Sequence, residues 1–249
     1  MSRAPTSRLD KLLANLGYGS RREIQALARA GAIVLDGAPL AAAEARIPVT
    51  RDLPARLTVD GAPLDPPPGL ALMLHKPTGV TCSHKEAGPL VYSLLPERWR
   101  RRDPPLSTVG RLDKETSGLL LLTDDGALLH RIISPKAKVS KRYRVELARP
   151  LGGDEGTVFA SGTLMLEGED KPLLPVEFVA EGPQRASVTL TEGRYHQVRR
   201  MFAAMGNHVT ALHRDRIGGL DLPADLAPGA YRILGEAELA QVFGEAAAP

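Results

Sequence analysis

The sequence predicts an α+β fold in two parts: a small helix-and-hairpin module, then a larger domain with a mainly antiparallel mixed sheet. Three observations carry this expectation. Helical periodicity and two Asp-Gly turns share residues 1–64. A triple proline follows at Pro66-Pro67-Pro68. Beyond it, short strand-like and helix-like segments interleave with no regular βαβ rhythm.

Leu9, Leu12, Leu13 and Leu16 fall at i, i+3, i+4 and i+7, one face of a helix that Gly17 ends. Ser20 followed by Glu23 is a capping-box pattern, so a second helix starts near Arg21. Ile24, Leu27 and Ala28 form its apolar stripe, and Gly31 fits its C′ position. Residues 32–35, Asp36-Gly37 and residues 38–40 read as strand, tight turn and strand, and residues 57–64 repeat that wording around Asp60-Gly61. The first domain is thus expected at 1–64. A linker follows at 65–70, where consecutive prolines favour extended backbone and cannot continue a helix. The second domain, 71–249, is expected to hold strands at 71–75, 119–123, 141–147, 186–191 and 208–213, and helices at 127–133, 155–160, 195–205 and 236–242.

Apolar residues at 43% and charged residues at 24% suit a globular chain. Aromatics, at 4%, leave the core to Leu, Val, Ile and Ala. No apolar run is long enough to span a bilayer and the N-terminus is polar, so a cytoplasmic protein with no membrane partner is expected. The single Cys82 allows neither an internal disulfide nor a multi-cysteine zinc site. Cys82 and His84 have ligand-like spacing but no second pair, so no metal is expected. Net charge is only +3, yet it is unevenly spread. Arg98, Arg100, Arg101 and Arg102 cluster, and Arg131, Lys136, Lys138, Lys141, Arg142 and Arg144 run on with no acid among them. Residues 154–181 are acidic by contrast. Such asymmetry suits one basic face for a polyanion.

Arg8-Leu9-Asp10-Lys11-Leu12-Leu13, Ser20-Arg21-Arg22 and Val34-Leu35-Asp36-Gly37 resemble the S4 RNA-binding domain. The likeness implies RNA contacts by Arg8 and Lys11. Arg21 and Arg22 also stand at a helix start, where outward backbone N–H groups favour phosphate.

Residues 110–119, Gly-Arg-Leu-Asp-Lys-Glu-Thr-Ser-Gly-Leu, place a carboxylate among polar groups just before an apolar strand, at a core edge where its pKa can be tuned. On physics alone, Asp113 could equally cap a turn with Arg111 as a surface partner. The stretch resembles the catalytic motif of pseudouridine synthases, G-R-L-D-x-x-[ST]-[ST]-G-L, at all ten positions. Leu74-His75-Lys76-Pro77 is similar to that family's L-N-K-P motif, with His75 in place of Asn. Lys141-Arg142-Tyr143 is similar to K-x-Y, and Gly193-Arg194-Tyr195-His196-Gln197-Val198-Arg199 to G-R-x-H-Q-[IV]-R.

The resemblance implies isomerisation of uridine in RNA. The N1–C1′ bond breaks, the base turns, and C5 bonds to C1′; no metal, cofactor or ATP is needed. It implies that Asp113 is the nucleophilic carboxylate, that Tyr143 stacks on the extruded base, and that Arg199 pairs with Asp113 to keep it charged. Arg111, Lys141, Arg194 and Arg200 are expected at the RNA, Lys76 under the Asp113 loop, and His196 and Gln197 as organisers of their turn. The stretch from Arg194 to Gly229, with Met201-Phe202-Ala203-Ala204, Gly206-Asn207-His208-Val209 and Leu212-His213-Arg214, is similar to the branch acting on 16S rRNA, either free or within a pre-ribosomal particle. A 23S rRNA enzyme is the alternative within the family, and a monomer is expected. Two rivals come from other classes: a non-catalytic RNA-binding protein, and a glycosidase pairing Asp113 with Glu115 or Asp124 across about 5 to 9 Å.

Overall fold

The computed structural model describes residues 5–83 and 88–244. The chain divides into two compact units. The first holds residues up to Ala71 together with 95–107 and 123–126; the second holds 72–94, 108–122 and the remainder. The first unit therefore reaches past the proline-rich stretch.

In the first unit, β1 (Thr6–Arg8) leads into α1 (Leu9–Asn15) and α2 (Arg21–Arg29). Then come β2 (Ile33–Leu35), β3 (Ala38–Pro39), β4 (Arg46–Pro48), α3 (Leu53–Arg56), β5 (Leu57–Val59) and β6 (Ala62–Pro63). The expected leucine face of α1 is buried, at Leu9, Leu12 and Leu13, with Leu16 just beyond the helix end. Ser20 and Glu23 form the reciprocal capping box that starts α2. Both Asp-Gly turns have positive φ at both residues, Asp36 51° with Gly37 79° and Asp60 51° with Gly61 76°. That backbone matches strand twist and joins β2 to β3 and β5 to β6 in one antiparallel sheet ordered β3-β2-β5-β6.

The second unit comprises β7 (Ala71–Lys76), β8 (Ser107–Thr108), β9 (Thr116–Thr123), α4 (Gly126–Ile133), β10 (Lys141–Leu147), α5 (Glu155–Ala160), β11 (Glu177–Gly182), β12 (Arg185–Leu190), α6 (Gln197–Ala204), β13 (Val209–Ile217), β14 (Leu220–Asp221), β15 (Tyr231–Ile233) and α7 (Glu236–Val242). Its main sheet runs β11-β12-β10-β13-β9-β7-β15. The β13–β9 pair is parallel, while β10–β12, β10–β13, β11–β12, β13–β14 and β7–β15 are antiparallel, so the sheet is mixed and mainly antiparallel. Val198, Met201 and Phe202 seat α6 in a core with Val145, Leu147, Val188 and Phe159. Phe159 meets Phe202 edge to face at 5.2 Å, which helps seat α6 on this core.

Two departures from expectation shape the site. The helix expected at 195–205 begins only at Gln197, because His196 adopts the left-handed conformation, φ 48°. The strand expected to end at 213 runs on to Ile217 through an irregular register. Arg142 pairs with Arg216 and Tyr143 with Arg214, so Asp215 is the extra residue of a bulge.

Candidate active site

β10 alternates with period two. Val145 and Leu147 enter the core, while Lys141 and Tyr143, of the same parity, line a cleft of about 730 Å3. On β13, Leu212 and Arg214 line it, and the bulge at Asp215 then switches parity so that Ile217 does too. Gly118 brings β13 close: at φ 113° it has no Cβ, and one placed there would lie 2.1 Å from the Arg214 carbonyl oxygen. Tyr143 and Arg214 are direct cross-strand partners, and Arg214 Nη1 donates to the Tyr143 hydroxyl at 3.3 Å. Arg214 is 2% exposed, and its Nε donates to the Leu119 carbonyl at 2.8 Å. Its Nη2 is buried with no protein partner among the described residues. An unpaired buried donor is costly, and Arg214 is one of the residues that line the cleft.

Asp113 stands on the wall, its side chain 35% exposed. Among the described residues it is the one carboxylate lining the cleft. Its loop is held by its carbonyls. Lys76, fully buried, donates from Nζ to the carbonyls of Pro77 at 2.9 Å, Lys114 at 3.3 Å and Thr116 at 2.8 Å. The expected role of Lys76 under this loop is what the geometry shows. Burial lowers its ammonium pKa, and three carbonyls receive its protons. Burial, and secondarily the Arg214 charge, push Lys141 down to about 8. Burial likewise pushes the Cys82 thiol up.

Arg199, expected to pair with Asp113, does not line the cleft; its guanidinium donates to the carbonyls of Val209 at 3.1 Å and Glu115 at 2.9 Å. Val198, Met201 and Phe202 turn into the core, and Arg199, one residue past Val198, is directed at the end of the Asp113 loop. The arginines that line the cleft are Arg111, Arg194 and Arg214, and of these Arg214 is the buried one. His196 supplies the group beside Asp113 instead, with Nε2 3.4 Å from Oδ1. Its turn is organised by Gln197, whose Oε1 accepts from the Arg194 backbone N–H at 2.9 Å and whose Nε2 donates to Glu192 at 3.0 Å.

The expected RNA-contacting arginines fare unequally. Arg194 pairs with Glu192 and Glu169, each at 3.2 Å, and Arg200 pairs with Glu169 at 2.8 Å. Their charges are therefore balanced within the chain, by an acid that lies 25 and 31 residues away in sequence. Arg8 makes a two-pronged bond to the buried Asp10, at 3.1 and 2.8 Å. Lys11, Arg21 and Arg22 are exposed and make no ion pair among the described residues. Arg111 is exposed at the cleft edge. His75, at the motif position expected for Asn, bonds the Leu226 carbonyl at 2.7 Å and meets His213 edge to face at 5.5 Å. His84 lies outside the described residues; among the described ones, no group of three His, Cys, Asp or Glu is arranged to hold a metal ion.

The glycosidase alternative needs a second acid in the cleft. Neither Glu115 nor Asp124 lines it, and Asp124 is buried against Arg102 in the first unit.

One carboxylate, a strand tyrosine and a buried arginine thus gather around a cleft of about 730 Å3, ample for a nucleotide. Comparison with known proteins specifies the class. Residues 71–204 match the family model for RNA pseudouridylate synthase, and residues 7–44 that for the S4 domain. The chain is 41% identical over 239 residues to ribosomal small subunit pseudouridine synthase A of Escherichia coli (strain K12), covering 94% of this chain and 99% of that one. It is 40% identical over 237 residues to an uncharacterised RNA pseudouridine synthase of Bacillus subtilis (strain 168), covering 93% and 96% respectively. A crystal structure of a pseudouridylate synthase superposes with a TM-score of 0.66 at 34% identity, covering 94% of this chain and 99% of that one. The chain belongs to the RNA pseudouridylate synthase family: it is an RNA pseudouridine synthase, an isomerase carrying an N-terminal S4 domain.

Proposed function

We propose that the enzyme isomerises a uridine of 16S rRNA in the cytoplasm, with residues 71–249 carrying the chemistry and residues 1–64 holding the RNA. The observation that carries the site assignment is the position of Asp113. It is the one carboxylate lining the cleft among the described residues, on a loop whose carbonyls Lys76 and Arg199 fasten. The reaction is atom-balanced. The N1–C1′ bond breaks, C5 bonds to C1′, the C5 proton departs and N1 gains one. Asp113 supplies the carboxylate for the glycosidic step. Tyr143 stacks on the extruded base, and Arg214 sets the Tyr143 hydroxyl and presents Nη2 to charge developing in the cleft. Arg199 acts as a positioning residue through the Glu115 carbonyl, and Arg111 and Lys141 meet the RNA backbone at the rim. The small-subunit assignment is supported by the end-to-end likeness to the Escherichia coli relative, whose name specifies the small ribosomal subunit.

Tritium release from 16S rRNA transcribed with C5-labelled uridine tests this. Asp113→Asn should fold and bind the transcript while losing at least about a thousand-fold in rate. Substantial release by the Asn variant would remove Asp113 from the nucleophile role. Wild-type release from 23S but not 16S transcripts would redirect the target.

A further inference from the structure

We propose that Tyr195, stacked on His196 at the mouth of the cleft, is a platform for the base next to the target uridine in the bound RNA. The inference rests on the reading that this cleft isomerises a uridine in RNA. Tyr195 is 76% exposed, the most exposed large apolar side chain among the described residues. A single exposed aromatic is ordinary on a protein surface. This one differs in three respects.

First, it is stacked. The Tyr195 and His196 rings lie 3.9 Å apart between centroids and 16° from parallel, so one face of the tyrosine is already covered by a ring. Second, the stack is anchored at the chemistry. His196 Nε2 is 3.4 Å from the Asp113 carboxylate, so a base on the outer face of Tyr195 is two rings away from the nucleophile. Third, the segment is held rigidly although it is not helical. His196 sits in the left-handed conformation just before α6, Arg200 donates to the Tyr195 carbonyl at 3.2 Å, and Arg194 is clamped by Glu192 and Glu169. An aromatic ring fixed before binding loses little freedom when a base stacks on it. Every base offers a π-face, so such a platform is sequence-tolerant and suits an unpaired segment around an extruded nucleotide. Neutralising Arg194 and Arg200 then has a use beyond stability, since their ion pairs present the ring instead of meeting phosphate.

Steady-state tritium release from the labelled 16S transcript reads this directly. Tyr195→Ala should raise KM at least about five-fold with little change in kcat, as expected for one lost base–aromatic stack. Tyr195→Phe should keep the wild-type KM, because it keeps the π-face, and Tyr195→Leu should behave like Tyr195→Ala. Placing Tyr195→Ala in the inactive Asp113→Asn protein should weaken equilibrium RNA binding by the same factor, with the thermal midpoint unmoved. An unchanged KM in Tyr195→Ala, or a Tyr195→Phe variant as impaired as Tyr195→Ala, overturns the platform while the enzyme reading stands. So does a Tyr195→Leu variant matching Tyr195→Phe. If the wild type turns over no rRNA transcript, the enzyme reading and the platform built on it fall together.

Discussion

Arg214 spends two of its donors inside the protein, on the Leu119 carbonyl and the Tyr143 hydroxyl, and its buried Nη2 has no partner among the described residues. Removing it should therefore touch the chemical step. Arg214→Met is expected to lower kcat about a hundred-fold, the scale of one lost preorganised donor, with a smaller effect on KM. A kcat within a few-fold of wild type would reduce Arg214 to packing. The face of β13 opposite the cleft makes a different prediction. His213 Nδ1 lies 2.9 Å from Ser117 Oγ, its ring touches His75, and Asp215 and Arg144 are nearby charges. Burial, then the His75 charge, lower its pKa below the usual value of about 6.5. A depressed imidazole pKa means that the unfolded chain binds the extra proton first as pH falls. The stability His213 confers is thus complete above pH about 6.5 and declines as pH drops toward the folded-state pKa. His213→Gln should flatten that decline in urea midpoints taken from pH 7.5 to 5; an unaltered slope assigns the pH dependence to other groups. That Asp113 and Tyr143 face one cleft follows from motifs contiguous in sequence. Nothing local in the sequence singles out Arg214, since the strand periodicity stops at 213. The bulge at Asp215, with Arg142 at 2.8 Å and Arg144 at 2.7 Å from its carboxylate, is a product of strand pairing and leaves no local mark.

Elements were most readable where one local rule decides them. The capping box of α2 and both Asp-Gly turns form as expected, since each depends on residues within four positions. The basic cluster at 98–102 was not readable in this way. Arg98 pairs with Asp65 and lies 4.2 Å over the Tyr18 ring, while Arg102 pairs with Asp124 at 2.7 Å. A charge run that looks like a polyanion surface thus supplies structural counter-ions, whose partners lie 33 and 22 residues away. The Arg102–Asp124 pair is the severe case: both side chains are 1% exposed. Arg102 also donates to the carbonyls of Pro66 and Pro67, and Asp124 accepts from the Gly69 backbone N–H, so the pair pins the proline-rich stretch. Arg102→Met strands a buried carboxylate and should cost about 3–5 kcal/mol in urea unfolding. Arg102→Met with Asp124→Leu should recover much of that loss, because the uncompensated charge is then gone. Equal destabilisation in the single and double variants would show that the bonds to the proline carbonyls and Gly69 matter more than the charge.

Taken over the whole molecule, positive charge is less available for RNA than the sequence suggests. Arg8, Arg98, Arg102, Arg142, Arg144, Arg194, Arg200 and Arg216 all have carboxylate partners. Lys11, Arg21 and Arg22 remain exposed with no ion pair among the described residues. Arg21 and Arg22 occupy the first turn of α2, where a cation opposes the helix dipole by some tenths of a kcal/mol. Arg21 does lend its charge to the buried Asp10 carboxylate. A phosphate bound at this end would meet both guanidinium groups and the free N–H groups of the helix start. Deleting residues 1–64 is a poor test, because residues 95–107 and 123–126 belong to the same compact unit and would lose their packing. Neutralising Lys11, Arg21 and Arg22 together to Gln leaves that packing intact, as all three side chains are exposed. If each contacts one phosphate, the slope of log binding constant against log salt should shrink by about two, and affinity at low salt should fall while kcat at saturating RNA holds. An unchanged slope would mean that the S4 domain of this enzyme holds no RNA backbone through α1 and α2.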